Sequence, residues 1–279
     1  MPESIISQSV KGMARAADEG RLRYHRRFAS KYLSTRRDVV VYLPPGYDAG
    51  AKARYPVFYL QDGQNLFDPA TAFGGEDWQA DLTTDRLIRQ GAIPPLILVG
   101  IYNTGVRRIS EYTPTRDPQL RKGGKAERYA QMLAREIKPF IDSEYRTAKS
   151  AACTGVGGSS LGALAALATG LCYPGVFGRM ALISPSVWWD SRAVLRMVEE
   201  YRSRARARIW LDIGTEEGEH PRGAVEDARL FRDAFEAKGW HQGEDLCYRE
   251  FQRAGHNERS WGGRFGFVLE YLFNGPESR

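Results

Sequence analysis

The stretch Cys153–Ala163 changes from a strand-like to a helix-like sequence across a single short turn. Its first half consists of small residues that strands tolerate, and it runs into Leu161–Ala168, which is rich in leucine and alanine. Between the two halves lies Gly158–Gly162, with the sequence Gly-Ser-Ser-Leu-Gly. A glycine two residues before and two residues after Ser160 lets the strand and the helix approach closely, because a Cβ atom there would collide with the neighbouring element. The stretch therefore predicts a strand, a tight turn with a serine at its apex, and a helix.

The same five residues match the pattern G-x-S-x-G, which holds a nucleophilic serine when a strand precedes it and a helix follows it. The amide groups and the positive dipole end of that helix would face the serine, where negative charge develops during acyl transfer. Ser159 competes for the role, but it lacks a glycine two positions after it. We therefore expect Ser160 to be the nucleophile.

Short apolar runs alternate with helical patterns along the rest of the chain. Two early β-rich runs joined by a short turn are expected to form an antiparallel edge of the sheet, and Pro44-Pro45-Gly46 stops the second run. In order, strands are predicted at residues 27–30, 38–43, 55–60, 96–101, 180–183, 207–213 and 246–251, and in the run before Ser160. Helices are predicted at residues 78–89, 125–145, 191–203 and 222–238, after Ser160, and near the C-terminus. This alternation predicts an α/β fold with a mostly parallel central sheet and helices on both faces.

Domain organisation follows from the same pattern. Residues 21–279 contain no linker, repeat or low-complexity segment, so we expect one domain there. Residues 1–20 are polar and weakly patterned, and we expect an N-terminal arm, either mobile or a short helix. Pro139 is expected to kink the helix at 125–145, and the polar loop at 102–124 is long enough to be functional or disordered.

Composition excludes several classes of protein. The net charge of +6 comes without a basic stripe interleaved with aromatic residues, so we expect no nucleic-acid partner. Three cysteines without C-x-x-C spacing predict buried thiols in a reducing compartment, with a disulfide between two of them left open. The chain shows neither a secretory signal pattern nor an apolar run of membrane-spanning length, which predicts a cytoplasmic protein without a membrane partner. We expect no metal and no cofactor, and a homo-oligomer is compatible with the sequence.

Three predicted strand ends carry a serine, an acidic residue and a histidine, in that order. In parallel sheets, active sites gather at the carboxyl ends of the strands. His256 is one of four histidines, and it alone follows a β-rich run near the C-terminus. We expect His256 to accept the proton of Ser160, and a carboxylate to fix the tautomer of the imidazole. Glu217 is our choice for that carboxylate, with Glu216 and Asp212 as alternatives.

The oxyanion of a tetrahedral intermediate needs two donors. The backbone amide of Leu161, directly after the nucleophile, is expected to supply one. The second is expected from the loop after the strand at 55–60, where Gln64 is best placed. Further polar and aromatic residues are expected to line the substrate site on loops at the same edge of the sheet: Asp62, Asn103, Arg108, Tyr112, Trp188 and Trp189.

Two of these expectations carry an alternative. Trp188 and Trp189 either both stack on a phenolic or sugar group, or Trp189 is part of the core. Arg108 either meets an anionic group of the substrate or pairs with Glu111, three residues further on.

Several motifs together resemble those of the putative esterase family of α/β-hydrolases, which includes enterochelin-esterase-like, feruloyl-esterase-like and esterase-D-like enzymes. The resemblance covers about residues 22–275 and rests on residues 37–47, 60–67, 111–114, 158–162, 184–189, 214–217 and 255–258. It implies an α/β-hydrolase fold and hydrolysis of a carboxylic ester through an acyl-enzyme. Carried over residue by residue, it places the nucleophile on Ser160, the acid on Glu217, the base on His256 and an oxyanion amide on Gln64.

The sequence departs from the family pattern in two places. Many members have Gly-Gly where this chain has Gly162-Ala163, and many have aspartate at the position of Glu217. The chain is also short for the extra N-terminal domain of the enterochelin branch, so we expect a small or medium ester rather than a bulky siderophore. Two other functions are compatible with the motifs: acyl transfer to another alcohol, and a catalytically silent binding protein. The intact serine, acid and histidine favour an enzyme.

Overall fold

One mixed sheet of eight strands runs through residues 21–47 and 52–275, which are the residues that the computed structural model describes. The predicted N-terminal arm, residues 1–20, lies outside the described residues. From one edge to the other, the strands are β1 (Leu22–Phe28), β2 (Arg37–Tyr42), β4 (Ile97–Ile101), β3 (Val57–Gln61), β7 (Thr154–Ser159), β8 (Arg179–Ile183), β9 (Arg208–Gly214) and β10 (Leu246–Phe251). Strands β1 and β2 are antiparallel to their neighbours, and all the other pairs are parallel. The predicted α/β fold with an antiparallel N-terminal edge is therefore confirmed.

Continuous burial of the inner strands explains their apolar sequences. Every residue of β3, β4 and β8 is buried, because helices cover both faces of the sheet. Alternate side chains of β3 enter different cores: Val57 and Tyr59 face one, and Phe58 and Leu60 face the other. Strand β1 at the edge is only partly covered.

Helices α1 (Ala80–Arg89) and α8 (Glu258–Phe273) contribute to one of these cores. The opposite core receives α3 (Ala126–Met132), α4 (Lys138–Glu144), α5 (Leu161–Cys172), α6 (Trp189–Glu199) and α7 (Pro221–Ala237). The long loop after β4 is not structureless. It contains α2 (Arg108–Tyr112) and a hairpin of β5 (Arg116–Asp117) and β6 (Lys122–Gly123).

Three local expectations need correction. The single helix expected at 125–145 is divided by a π-helical turn, Leu133–Ile137, and Pro139 lies in the first turn of α4. Proline has no amide hydrogen to donate, and it is tolerated in the first turn of a helix, where that donor would have no partner within the helix. The π-helical turn directly before it is a common place for a helix to bend. The helix expected at 191–203 ends at Glu199. The three cysteines are expected from the sequence to be buried, but Cys172 is exposed and Cys153 and Cys247 are only partly buried, and no disulfide joins these three, all of which lie in the described part of the chain.

Candidate active site

The turn between β7 and α5 holds Ser160 in a strained backbone conformation. Its φ of 57° and ψ of −126° lie in a region that residues with a Cβ atom rarely adopt. The Ser160 amide donates to the carbonyl oxygen of Ile183 at 3.0 Å, which ties the turn to the end of β8. A Cβ atom at Gly158 would lie 2.8 Å from the carbonyl carbon of Gly162, so the strand and the helix are as close as the G-x-S-x-G pattern requires.

A chain of hydrogen bonds connects Ser160, His256 and Glu217. The Nε2 atom of His256 lies 2.9 Å from Ser160 Oγ, and its Nδ1 atom lies 2.8 Å from Glu217 Oε2. The three side chains follow β7, β10 and β9 respectively, so the parallel sheet brings them to one edge. This is the geometry in which an imidazole accepts the hydroxyl proton while a carboxylate holds the other ring nitrogen.

The carboxylate of Glu217 is buried, at 3% exposure, and is held ionised by its neighbours. Its Oε1 atom accepts a hydrogen bond from the Gly214 amide at 2.7 Å and another from the Ser184 hydroxyl. Burial raises the pKa of Glu217, but hydrogen bonds from His256 and Ser184 outweigh it and keep the pKa below its ordinary value. A negative charge therefore stays beside His256.

The two alternative acids make no hydrogen bond with His256. Asp212 is fully buried and accepts hydrogen bonds from Trp210 Nε1 at 2.6 Å and from the Ser184 amide at 3.2 Å. Burial raises the pKa of Asp212 to about 6, with Arg264 acting in the opposite direction. Glu216 is exposed. Of the three candidates, Glu217 is the one whose carboxylate contacts His256.

The expected oxyanion donors lie on adjoining elements. Leu161 is the first residue of α5, and Gln64 lies in a 3₁₀ turn, Gly63–Asn65, directly after β3. A Cβ atom at Gly162 would lie 3.2 Å from Asp62 Oδ2, so the residues that lead into this turn lie beside the start of α5. The Gln64 side-chain oxygen accepts a hydrogen bond from the backbone amide of Asn103 at 3.3 Å, which links the turn to the loop after β4.

Asp62, Asn103, Arg108 and Tyr112 form one polar cluster, but they bind mainly one another. Arg108 donates two hydrogen bonds to the Asp62 carboxylate, from Nε to Oδ1 at 2.8 Å and from Nη2 to Oδ2 at 2.7 Å. Asn103 Nδ2 also donates to Asp62 Oδ1, at 2.7 Å. The hydroxyl of Tyr112 accepts from the Asp62 amide at 3.2 Å, and its ring is fully buried, so Tyr112 supports Asp62 and has no surface for a substrate.

Pairing of Arg108 with Glu111, one of the two alternatives from the sequence, is wrong. Glu111 instead pairs with Arg37 at 3.1 Å and accepts from Thr104 Oγ1 at 2.9 Å. The two side chains of helix α2 therefore have different partners: Glu111 is buried and pairs with Arg37 of β2, whereas Arg108 is 26% exposed and pairs with Asp62.

The two tryptophans separate into a surface and a core residue. Trp188 is 57% exposed, whereas Trp189 is 1% exposed and donates its Nε1 hydrogen to the carbonyl oxygen of Thr115 at 3.2 Å. The expectation that Trp189 contacts substrate is therefore wrong, and the alternative of a core role describes it. Trp188 alone presents an aromatic face.

Sequence reasoning missed four residues next to Ser160, His256 and Glu217: Ser184, Ser186, Trp261 and Arg264. The Ser186 hydroxyl lies 3.2 Å from Ser160 Oγ and is buried. Ser184 and Ser186 carried a detectable signal, because they follow a predicted strand at the same edge of the sheet. The C-terminal helix gives no such signal for Arg264, which is brought in by tertiary packing.

Within residues 21–47 and 52–275, no group of three or more histidine, cysteine or acidic side chains is placed to hold a metal ion. Over the same described ranges, none of the helices has the length and apolar character needed to cross a membrane.

Comparison with known proteins identifies a family and several relatives of the chain. The family described as putative esterase matches residues 30–269. The uncharacterized protein YbbA of Bacillus subtilis is 26% identical over 253 residues, which is 88% of this chain and 95% of the relative. An endo-1,4-beta-xylanase/feruloyl esterase of Xylanibacter ruminicola is 29% identical over 205 residues, 71% of this chain and 25% of the relative.

Among solved structures, the chain is similar to an IroE-like serine hydrolase from Shewanella oneidensis. The TM-score is 0.70 at 25% identity, and the match covers 91% of this chain and 80% of that one. The family match spans most of the chain, and the sheet order and helices agree with the fold. The chain therefore belongs to the putative esterase family, and it is a carboxylic ester hydrolase with the α/β-hydrolase fold.

Proposed function

We propose that the protein hydrolyses a small or medium carboxylic ester through an acyl-enzyme on Ser160, with His256 as general base and Glu217 as the acid of the triad. The observation that carries this proposal is the hydrogen-bond chain from Ser160 Oγ through His256 to Glu217 Oε2, at 2.9 and 2.8 Å. Eight of the ten strands in the described residues form one sheet, which supports a single domain over residues 21–279.

The first half of the reaction forms the acyl-enzyme. With the proton of the neutral imidazole on Nδ1, directed to Glu217, the Nε2 atom of His256 accepts the hydroxyl proton as Ser160 Oγ attacks the ester carbonyl carbon. The backbone amides of Leu161 and Gln64 would stabilise the oxyanion of the tetrahedral intermediate. His256 then gives its proton to the departing alkoxide, and the ester bond breaks.

The second half repeats these steps with water. His256 takes a proton from a water molecule, the resulting hydroxide attacks the acyl carbon, and Ser160 leaves with the proton returned by His256. The His256 side chain is 36% exposed, so water reaches the base directly. This exposure favours hydrolysis over transfer of the acyl group to another alcohol, which would need water to be kept out.

The substrate class follows from the rim of the site. Trp188 is an exposed aromatic side chain on the loop that follows β8, and the same loop carries Ser186, whose hydroxyl lies 3.2 Å from Ser160 Oγ. A flat ring of this kind can stack on an aromatic acyl group. The relative named as a feruloyl esterase supports the same class, so aromatic acyl esters belong in the test panel with acetate and butyrate.

The first test compares the wild type with Ser160→Ala on p-nitrophenyl acetate and butyrate. We expect the variant to lose at least about 1,000-fold in kcat, because removing a triad member abolishes covalent catalysis. A burst of p-nitrophenol, equal to the enzyme concentration, would accompany acyl-enzyme formation in the wild type. Equal activity of the two proteins would contradict the proposal, and an inactive but folded wild type would favour the silent binding protein.

A further inference from the structure

The back of the triad acid is enclosed by side chains from three different elements. Glu217 Oε1 accepts from the Ser184 hydroxyl after β8, and Arg264 Nη2 of α8 lies 3.3 Å from it. Arg264 Nη2 also lies 3.1 Å from Oδ1 of Asp212 in β9. All four side chains are buried. Ser184, Arg264 and Asp212 form no hydrogen bond with Ser160, and the mechanism above assigns these three residues no step.

Ser184 is the centre of this arrangement. Its hydroxyl donates to Glu217 and accepts from Trp261 Nε1 at 2.9 Å and from Arg264 Nη2. One donor and two acceptor positions are all that a hydroxyl has, so the hydrogen-bonding capacity of Ser184 is used completely. Its amide donates to the Asp212 carbonyl oxygen at 3.0 Å, and its φ is 41°. A serine kept in this strained conformation inside the core is a sign of a functional constraint.

Arg264 places one positive charge between two buried carboxylates. Its side chain is 2% exposed, and a single nitrogen, Nη2, serves both Asp212 and Glu217. An arginine often takes both oxygens of one carboxylate. Here it takes only Oε1 of Glu217, so Oε2 is left to His256, at 2.8 Å from Nδ1.

We propose that Ser184 and Arg264 are positioning residues that fix Glu217 by Oε1, direct Oε2 at His256 and keep the carboxylate charged beside Asp212. This inference rests on the proposed function, because it assigns how the acid of that triad is held. Both side chains are buried and bond to Glu217 rather than to Ser160, so they would act through the acid.

The charges around Glu217 support a role beyond packing. The ionisable groups that face it are His256 after β10, Asp212 of β9 and Arg264 of α8. Without Arg264, two buried carboxylates would face each other with no buried cation between them. Like charges in an apolar site favour the protonated form, so Glu217 would lose its charge at a higher pH than in the wild type.

The test measures kcat and KM of Arg264→Met, Arg264→Lys and Ser184→Ala with p-nitrophenyl butyrate between pH 5 and pH 9. For Arg264→Met we expect kcat at pH 7 to fall at least about tenfold with KM nearly unchanged, since the lost interaction acts on the transition state. The acid limb of its kcat profile, which is the fall of kcat as the pH is lowered, should move to higher pH. Lysine should restore the limb but only part of kcat, because it lacks the planar guanidinium. Ser184→Ala should lower kcat with a smaller movement of the limb.

Arg37→Met is the matched control. Arg37 is an equally buried arginine that pairs with one carboxylate, Glu111, at 3.1 Å. The Arg37→Met protein should have a lower melting temperature than the wild type and the same dependence of kcat on pH. The inference is overturned if Arg264→Met keeps that profile too, or, should Arg264→Met not fold, if Ser184→Ala has wild-type kcat. Failure of the proposed function is recognised separately, by activity that survives in Ser160→Ala.

Discussion

At the scale of single residues, Ser160 shows how the backbone conformation of a proposed nucleophile opposes stability. Its φ of 57° with ψ of −126° costs on the order of 1–3 kcal/mol in a residue with a Cβ atom. The Ile183 carbonyl, the two flanking glycines and the start of α5 hold the turn in place against this cost.

Replacing Ser160 with glycine should therefore stabilise the fold relative to alanine. Ser160→Gly relieves the strain, and the extra freedom of glycine in the unfolded chain offsets only part of the gain, so we expect a net difference of about 1 kcal/mol. Both variants lack the hydroxyl and should be inactive. Urea unfolding of the two proteins side by side measures the difference. A glycine variant less stable than the alanine variant would show that the turn is not strained.

At the scale of elements, the 3₁₀ turn Gly63–Asn65 connects the sheet to the proposed oxyanion site. It packs on the backbone of β4, where a Cβ atom at Gly63 would lie 2.6 Å from the Ile101 nitrogen. The neighbour is backbone and cannot rotate away. Glycine at this position thus sets the distance between the turn and the sheet, and with it the position of the Gln64 amide.

We expect Gly63→Ala to lower both stability and activity. Overpacking against the backbone should cost about 1–3 kcal/mol in the free energy of unfolding. The displaced Gln64 amide should also reduce kcat more than it changes KM, since an oxyanion donor acts in the transition state. Thermal melts and kinetics with p-nitrophenyl butyrate measure the two effects.

Gly175→Ala is the control for that substitution. A Cβ atom there would meet nothing within 4 Å, and its φ is not positive. The Gly175→Ala protein should have the stability and the kcat of the wild type. Wild-type kcat in a folded Gly63→Ala protein would remove Gln64 from the oxyanion site.

At the scale of the whole molecule, the ionised Glu217 links folding to pH. Its pKa in the folded state lies below the ordinary value, so the folded state binds fewer protons than the unfolded chain as Glu217 titrates. The stabilisation is fully present above the unfolded pKa of about 4.3 and is lost as pH falls through the folded pKa.

The difference in unfolding free energy between the wild type and Glu217→Gln should therefore be largest above about pH 5 and shrink below about pH 4. Urea unfolding at several pH values measures it. Ser160→Ala removes no ionisable group, and its difference from the wild type should not vary in this way. A constant difference for Glu217→Gln would show that its pKa is the same in both states.

The sequence by itself determined the fold and the edge of the sheet where the proposed active site lies. Alternating apolar runs predicted the strands, and G-x-S-x-G at a strand end predicted the tight turn at Ser160, because these features depend on local backbone preferences. The placement of Glu217 and His256 after later strands was enough to bring them near Ser160, since parallel strands end at one edge. Their catalytic roles stay predictions.

Only the tertiary structure decided the partners of the side chains. Asp212, Glu216 and Glu217 all lie at the end of β9, and the direction of each side chain settles which one reaches His256. Packing also pairs Arg108 with Asp62 and buries Trp189. Arg264 is 47 positions from Glu217, and α8 brings the two together. Local sequence patterns set the backbone, whereas ion pairs and buried hydrogen bonds depend on which distant elements pack together, and no short pattern encodes that.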